Sequence, residues 1–478
     1  MTLTSVTGPG LPLSVGQRAL LFVHGLAGQP GVHNVALAVR VGLAISPAVL
    51  ADAVADVLAQ HELLRSVYVE VDGEARRYVL PVDGAGCRAE FEVHDLPGAS
   101  QDTVKALAHE RTMVPFRLDA QPPLRVMLIR VAGDDSVLVA VTHHIATDGD
   151  SQTLILQDLL TAYAARVNGT SPAWRPPSAN FTDLVAEETA MLGSAEAEAH
   201  ARYWSQVCRD APDFLALPTD RPRPERQGFT GAQCDFRLSE ELVTRLRTAA
   251  TKTGVTSFAL LMAAFQVLLQ RTSGQRDFMV GYPATTRNSR HTRGAIGYLV
   301  NTLPLRAQLD PADRFAELAE RVGARVREGF RHRGYPFALI RRDLGLAPDL
   351  SRPPIFQVLF TMVVAYPPRS FFEVSVGGEG SYLGAPMRGF DVAQQAGQYD
   401  ITLDLAESRT GIRGIVKYDT ALFLPDTARR IADQFVTVVE AITNDPGRRI
   451  RDIPMVNNAE RDFLLALGNQ SIRAEPAS

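Results

Sequence analysis

Residues Thr142 to Asp150 read THHIATDGD and hold side chains that can do chemistry. A neutral imidazole accepts a proton near pH 7, so a histidine held at a strand end is a candidate general base. Side chains alternate along a strand, so His143 and His144 point to opposite sides and only one faces a given cleft. Asp148 and Gly149 then turn the chain into a helix. Gly149 lets the backbone approach a ligand closely, and N–H groups at a helix start can face developing negative charge. The plainer reading of the same residues is a structural histidine pair followed by an aspartate N-cap.

The elements that must position this stretch can be traced around it. Leu124 to Val131 alternates as a strand, Gly133-Asp134-Asp135 turns it, and Ser136 to Thr142 returns directly into the histidines. A helix follows from about Ser151 to Arg166, buried through Ile155, Leu156, Leu159, Leu160 and Tyr163. Upstream, Gln17 to His24 starts amphipathically and Val35 to Val41 is a strand. Ser46 opens a helix with Pro47 at its first position, and its apolar stripe runs on to Leu64. Ser66 to Glu70 and Arg76 to Leu80 predict a hairpin across Asp72-Gly73.

Downstream, Asn168 to Ser178 and Leu217 to Gly231 read as linkers, with Arg221, Arg223 and Arg226 a solvated run in the second. Asp183 to Cys208 reads as helical. The alternating pattern then resumes: a strand at 233–238, a Ser239-capped helix, an apolar helix at 257–271 and a buried strand at 277–281. Strands at 356–364, 399–407 and 411–418 and a helix at 425–442 complete it. The shared grammar of the two halves predicts two α/β subdomains, at 1–177 and 178–455, followed by a linker-like tail at 456–478.

Composition narrows the function. Of 478 residues, 49 are Lys or Arg and 53 are Asp or Glu, a net charge of −4 that removes the basic footprint of a nucleic-acid protein. Cys87, Cys208 and Cys234 are far apart and show no C-x-x-C pair. They are expected to be reduced, buried residues and neither a disulfide framework nor a zinc site. The N-terminus has no basic start and no apolar h-region, and no apolar run reaches the ~20 residues a bilayer requires. A cytoplasmic protein without a membrane partner is the expectation. His24, His33, His94, His109, His200, His291 and His332 lack metal spacing, and Ser14 has no G-x-S-x-G context for a nucleophile.

The spacing H-H-x-x-x-D-G matches the core motif of the condensation domains of nonribosomal peptide synthetases, and the whole chain resembles that family. Ser14-x-x-Gln17-Arg18 is similar to its opening motif and His61-Glu62-x-Leu64-Arg65 to its second, where His61 and Glu62 read as packing residues at a helix end. Asn180-Phe181-x-Asp183 resembles a degenerate fourth, and Ile296-Gly297-Tyr298-Leu299-Val300-Asn301-Thr302-Leu303-Pro304 the fifth. Tyr335-Pro336-Phe337 and Asp349-Leu350-Ser351-Arg352 resemble the last two.

The resemblance implies two chloramphenicol-acetyltransferase-like subdomains forming a V-shaped pseudodimer around a central tunnel. It makes His144 the catalytic residue, His143 a supporting group, and Asp148 a structural partner of Arg287 in Pro283-Ala284-Thr285-Thr286-Arg287. Thr285-Thr286 departs from the Ala-Gly that the family often places there. Tyr298 and Asn301 become candidates near the tunnel, Asn301 equally a loop brace. The implied reaction moves an acyl or aminoacyl thioester from the phosphopantetheine arm of a carrier protein to an amine or hydroxyl. The acceptor is a small molecule or is itself carrier-bound. Gly149 N–H is a candidate for the oxyanion, and no cofactor is bound by the chain itself.

Rivals are an epimerization domain, disfavoured because Gln152 stands where a tryptophan is usual, and a heterocyclization domain, excluded by the paired histidines. An inactive docking platform and a coenzyme A-dependent acyltransferase complete the alternatives. No Gly-rich adenylation loop or carrier serine motif is present, so substrates come in trans or from a larger synthetase. Met1 favours a free-standing enzyme, while the linker-like end favours descent from a module.

Overall fold

The computed structural model describes residues 10–26, 30–84, 86–175, 179–347, 349–364, 370–408, 411–456 and 461. The tail predicted at 456–478 and the 177/178 boundary lie almost wholly outside these residues.

Through the motif, the chain runs α1 (Val15–Leu26), β1 (Asn34–Val41), α2 (Pro47–Gln60), β2 (Ser66–Val71), β3 (Glu74–Val79), β4 (Glu90–Asp95) and α3 (Gln101–Met113). It continues with β5 (Leu124–Ala132), β6 (Asp135–His143) and α4 (Gly149–Val167). Next come α5 (Phe181–Leu192), α6 (Ala195–Cys208), β7 (Gly231–Leu238), α7 (Glu240–Thr253), α8 (Ser257–Ser273), β8 (Asp277–Thr285) and β9 (Val300–Gln308). The remainder is α9 (Phe315–Arg331), α10 (Phe337–Asp343), β10 (Val358–Val364), α11 (Ser370–Ser375), β11 (Glu379–Tyr382) and β12 (Ala385–Phe390). It ends with β13 (Ile401–Ser408), β14 (Gly411–Asp419) and α12 (Pro425–Asn444).

Two six-stranded mixed sheets form, ordered β11-β12-β1-β6-β5-β4 and β7-β14-β13-β10-β8-β9, with β2-β3 a separate ribbon. The hairpin β5-β6 sits inside the first sheet, which is covered on both faces. Leu124, Val126, Leu128 and Leu138 pack with α2 and α4 on one face. Met127, Ile129, Val137, Val139 and Val141 pack with α3 on the other. Alternation along β6 therefore assigns His143 to the α3 face. The second sheet carries its own core, through which α8 runs with every residue from Ala259 to Gln270 buried.

The first sheet is not made only from the first half of the chain. Strands β11 and β12 come from residues 379–390, and β12 pairs antiparallel with β1 at Ala38 to Val41. The expected 183–208 helix is two helices broken at Gly193-Ser194, with the Ser194 hydroxyl accepting from Glu196 N–H. The hairpin at Asp72-Gly73 turns through positive φ at both residues, which only Gly, Asn or Asp adopts readily. No single helix among the described residues is long and apolar enough to cross a membrane.

The run Arg221, Arg223 and Arg226 is not uniformly solvated. The Arg223 guanidinium grips the buried Asp400 through both carboxylate oxygens, and Arg221 Nη1 donates to Thr420 O at 2.6 Å. A charge enters the interior where a buried opposite charge awaits it, so the segment is a strap on the second lobe. Cys87 and Cys234 are buried as expected, whereas Cys208 is only partly so.

Candidate active site

Strand β6 delivers the two histidines to its end, and the turn 144–148 hands the chain to α4. The His144 N–H donates to His33 O at 2.9 Å, pinning the residue beside β1. Its ring Nδ1 lies 2.6 Å from Thr147 O. A carbonyl only accepts, so Nδ1 carries the proton and Nε2 keeps its lone pair. Burial holds the His144 pKa below 6.5, against the raising effect of the Thr147 hydrogen bond and the Asp148 charge. The ring is therefore neutral at pH 7 and its Nε2 is a base.

His143 has the opposite tautomer. Ile145 N–H donates to its Nδ1 at 3.1 Å, which leaves the proton on a buried Nε2 with no partner among the described residues. Its ring meets His24 edge-on at 5.0 Å and His33 at 6.2 Å. Burial first, then these neighbours, hold its pKa far below the usual value. The two histidines thus face different surroundings, His143 acting as packing behind the strand end.

Asp148 caps α4, its Oδ1 accepting from Ser151 N–H at 2.9 Å. The Arg287 guanidinium from the end of β8 meets it through both oxygens, at 2.6 and 3.0 Å. Leu299 N–H adds a third donor at 2.9 Å. Burial alone would raise the Asp148 pKa; Arg287 and the Ser151 hydrogen bonds together lower it below 3.8 and the carboxylate stays ionised. Arg287 also donates to Ser151 Oγ and Ala295 O, and Thr285 Oγ1 accepts from Arg287 N–H at 3.2 Å. One ion pair therefore locks the start of α4 to the 295–299 loop of the second lobe.

Tyr298 stands edge-on to His144 at 5.1 Å between ring centroids, its hydroxyl pKa pushed up to about 12 by burial. A Cβ at Gly16 would come within 2.8 Å of this ring, so glycine there lets α1 and Tyr298 close on the histidine. Asn301 lies in the same wall with its amide committed elsewhere. It donates to Arg333 O and Tyr335 O at 2.9 and 2.7 Å and accepts from Phe337 N–H, bracing the loop ahead of α10. Gly149 opens α4, exposed, with its N–H among those lacking a helical partner.

Gln17 has a role that its place in the opening motif does not announce. Ser14 and Gln17 cap α1 reciprocally, and Gln17 Nε2 donates to Ile145 O at 2.9 Å, steadying the turn after His144. The S-x-x-Q spacing of a capping box is the signal for the first half of that role. His61 Nε2 meets Asp158 at 2.8 Å and Glu62 meets Arg77 at 3.0 Å, both far from the reacting imidazole in the bonding network.

Cavities are lined by residues of the motif or by residues packed around it. One of about 1290 Å³ is lined by Phe22, His33, Arg341 and Tyr399, and one of about 540 Å³ by Gly16, Tyr298 and Asn301. They share Ala19, Val23 and Tyr399. A third, of about 730 Å³, is lined by Gly149, Asp150, Gln152 and residues of both sheets, and shares no residue with the other two. Among the described residues no group of three His, Cys, Asp or Glu is placed to hold a metal ion.

A neutral, oriented imidazole whose neighbours His33 and Tyr298 line cavities suits proton transfer with a bound substrate. The sequence model of the condensation domain matches residues 10–465, and this chain belongs to the condensation-domain family. A linear gramicidin synthase of Brevibacillus parabrevis is 33% identical over 471 residues, covering 98% of this chain and 9% of that protein. The chain thus spans less than a tenth of that relative. The X-domain from teicoplanin biosynthesis matches with a TM-score of 0.81 at 26% identity, covering 94% of this chain and 99% of that one. The first condensation domain of the calcium-dependent antibiotic synthetase matches in fold with a TM-score of 0.79, at 21% identity over 94% and 100%.

Proposed function

We propose that this chain is an acyltransferase that joins a carrier-tethered acyl or aminoacyl thioester to an amine or hydroxyl acceptor, giving an amide or ester. The observation that carries the reading is the Nδ1 hydrogen bond of His144 to Thr147 O, which leaves a neutral Nε2 free to take a proton. The phosphopantetheine arm of a cytoplasmic carrier protein brings the donor through one cavity, and the acceptor comes through another.

As the new N–C or O–C bond forms, the nucleophile's proton passes to His144 Nε2. The tetrahedral oxyanion is met by N–H donors at the start of α4, Gly149 among them. The C–S bond then breaks and the departing thiolate takes the proton. No covalent bond to the protein is formed. His144→Ala, assayed with a loaded carrier and an acceptor by mass spectrometry of the product, should lower kcat by ~10²–10⁴-fold. An unchanged rate sinks the base assignment, and no product from the unaltered chain sinks the enzyme reading.

A further inference from the structure

Tyr298 reaches His144 from a loop that is neither helix nor strand, so its placement depends on what grips the loop's backbone. Much of that grip comes from the knot around Asp148. Arg287 donates to Ala295 O at 3.0 Å, and Asp148 accepts from Leu299 N–H at 2.9 Å. Between them the buried Ser151 hydroxyl takes both backbone groups of Gly297. It accepts from the Gly297 N–H at 3.1 Å and donates to the carbonyl at 3.0 Å. A Cβ at Gly297 would come within 2.4 Å of the Phe181 ring, so the loop is closed in on that side as well.

The other end of the loop is held from elsewhere. Gly294 O accepts from Arg175 Nη1 at 3.3 Å. Arg175 belongs to the stretch at 168–178 that reads as a linker, yet its side chain is only 21% exposed. Its remaining arms, Nε and Nη2, close on the two oxygens of Asp158 at 3.0 and 2.8 Å. Asp158 is buried in α4, the helix that Asp148 caps, and His61 Nε2 meets the same carboxylate at 2.8 Å. Burial pushes the Asp158 pKa up, but the hydrogen bonds and charges of His61 and Arg175 bring it below 3.8. The carboxylate is therefore ionised and fixes the plane of the guanidinium. Trp174, the preceding residue, packs against the core cluster that holds Ile296. A cavity of about 210 Å³ lies beside Arg175, Asp158 and Gly294, so close packing alone does not hold the loop there.

We infer that Arg175 is a positioning residue for the acyl transfer: bridging Asp158 and Gly294, it fixes the far end of the loop that sets the Tyr298 ring against His144. The inference rests on the acyl-transfer reading and adds to it a residue from outside the resembled motifs. Helix α4 then carries both anchors of the loop, Asp148 at its cap and Asp158 within it. With Gly294 released, the loop is gripped from one side only and the Tyr298 ring can shift. A displacement of about 1 Å beside a reacting group can cost on the order of 10²-fold in rate. A planar guanidinium has the fork to meet two carboxylate oxygens and a carbonyl together, whereas an ammonium supplies the charge without the fork.

The test uses the full chain with an acyl-loaded carrier and a saturating acceptor. Arg175→Ala strips a buried carboxylate of its guanidinium and can unfold the protein, so Arg175→Lys is the decisive variant. It should keep the urea midpoint of the unaltered protein while kcat falls about tenfold, with KM for the carrier unchanged. Full kcat in Arg175→Lys overturns the inference, because charge balance alone then suffices. A loss that comes with a lowered midpoint, or one confined to KM, overturns it too. Tyr298→Ala should lower kcat by itself, and Arg175→Lys added to it should lower kcat no further. Losses that multiply in full sink the inference, since Arg175 then acts by another route. If the unaltered chain makes no product, the acyl-transfer reading itself fails, and amide hydrogen exchange decides the clamp. Faster exchange at 294–299 in Arg175→Lys, with β5-β6 still protected, supports it, and unchanged exchange overturns it.

Discussion

A general base at neutral pH must be unprotonated, and the surroundings of His144 secure this by burial while committing its Nδ1 proton to Thr147 O. The sign gives a measurable profile. Because the pKa is lowered from 6.5, the active neutral form is complete at pH 7 and is lost only as pH falls below 6.5 through the lowered value. With a hydroxyl acceptor, whose own ionisation lies outside the range, kcat/KM should be flat above pH 7 and fall on the acid side. A limb centred above 6.5 contradicts the assignment. The motif spacing singles out this residue, but the choice of tautomer depends on where the Thr147 carbonyl turns, which spacing alone does not reveal.

At the scale of elements, the N-terminus of α4 is held by its own Asp148 cap and by Arg287 arriving from β8. Both side chains are buried, Arg287 at 5% and Asp148 at 3% exposure, so removing one partner leaves the other charge uncompensated. Arg287→Ala should cost about 3–5 kcal/mol, read by urea unfolding. Asp148→Ala combined with it should cost less than the sum of the single changes, because the pair is lost only once. The pH dependence follows from the lowered Asp148 pKa. Its contribution is complete above the unfolded value of 3.8 and is lost as pH falls through the lower folded value. Arg287→Ala should remove that part of the acid sensitivity. Helices and hairpins such as α4, β5-β6 and β13-β14 are legible in the sequence because their apolar periods are local. The break at Gly193-Ser194 is not, since α5 and α6 both continue an Ala/Glu-rich pattern across it.

For the whole molecule, the sharing of β11 and β12 with the first sheet means that the first half does not complete its own sheet. Strand β1 is covered at Ala38 to Val41 by β12, and at Ala36 by the Gln394 amide, which accepts from Ala36 N–H and donates to Ala36 O at 2.6 and 2.8 Å. Residues 1–177 produced alone would expose this edge, a ready template for pairing with other chains. They should elute as aggregates from a sizing column and recover when co-produced with residues 178–478. A monomeric fragment with a cooperative melt contradicts this. The strap carrying Arg223 belongs to the same scale, because nothing near that residue in sequence announces Asp400, 177 residues away.

By its local order of residues this chain determined its motif, most of its helices and hairpins, and the family it resembles, since each depends on near neighbours and fixed spacing. The tertiary structure alone decided which histidine nitrogen is free, that Asn301 braces a loop, and that residues 379–390 complete the first sheet. These are contacts between segments far apart in the chain, and their partners are set by packing geometry, which no local pattern encodes.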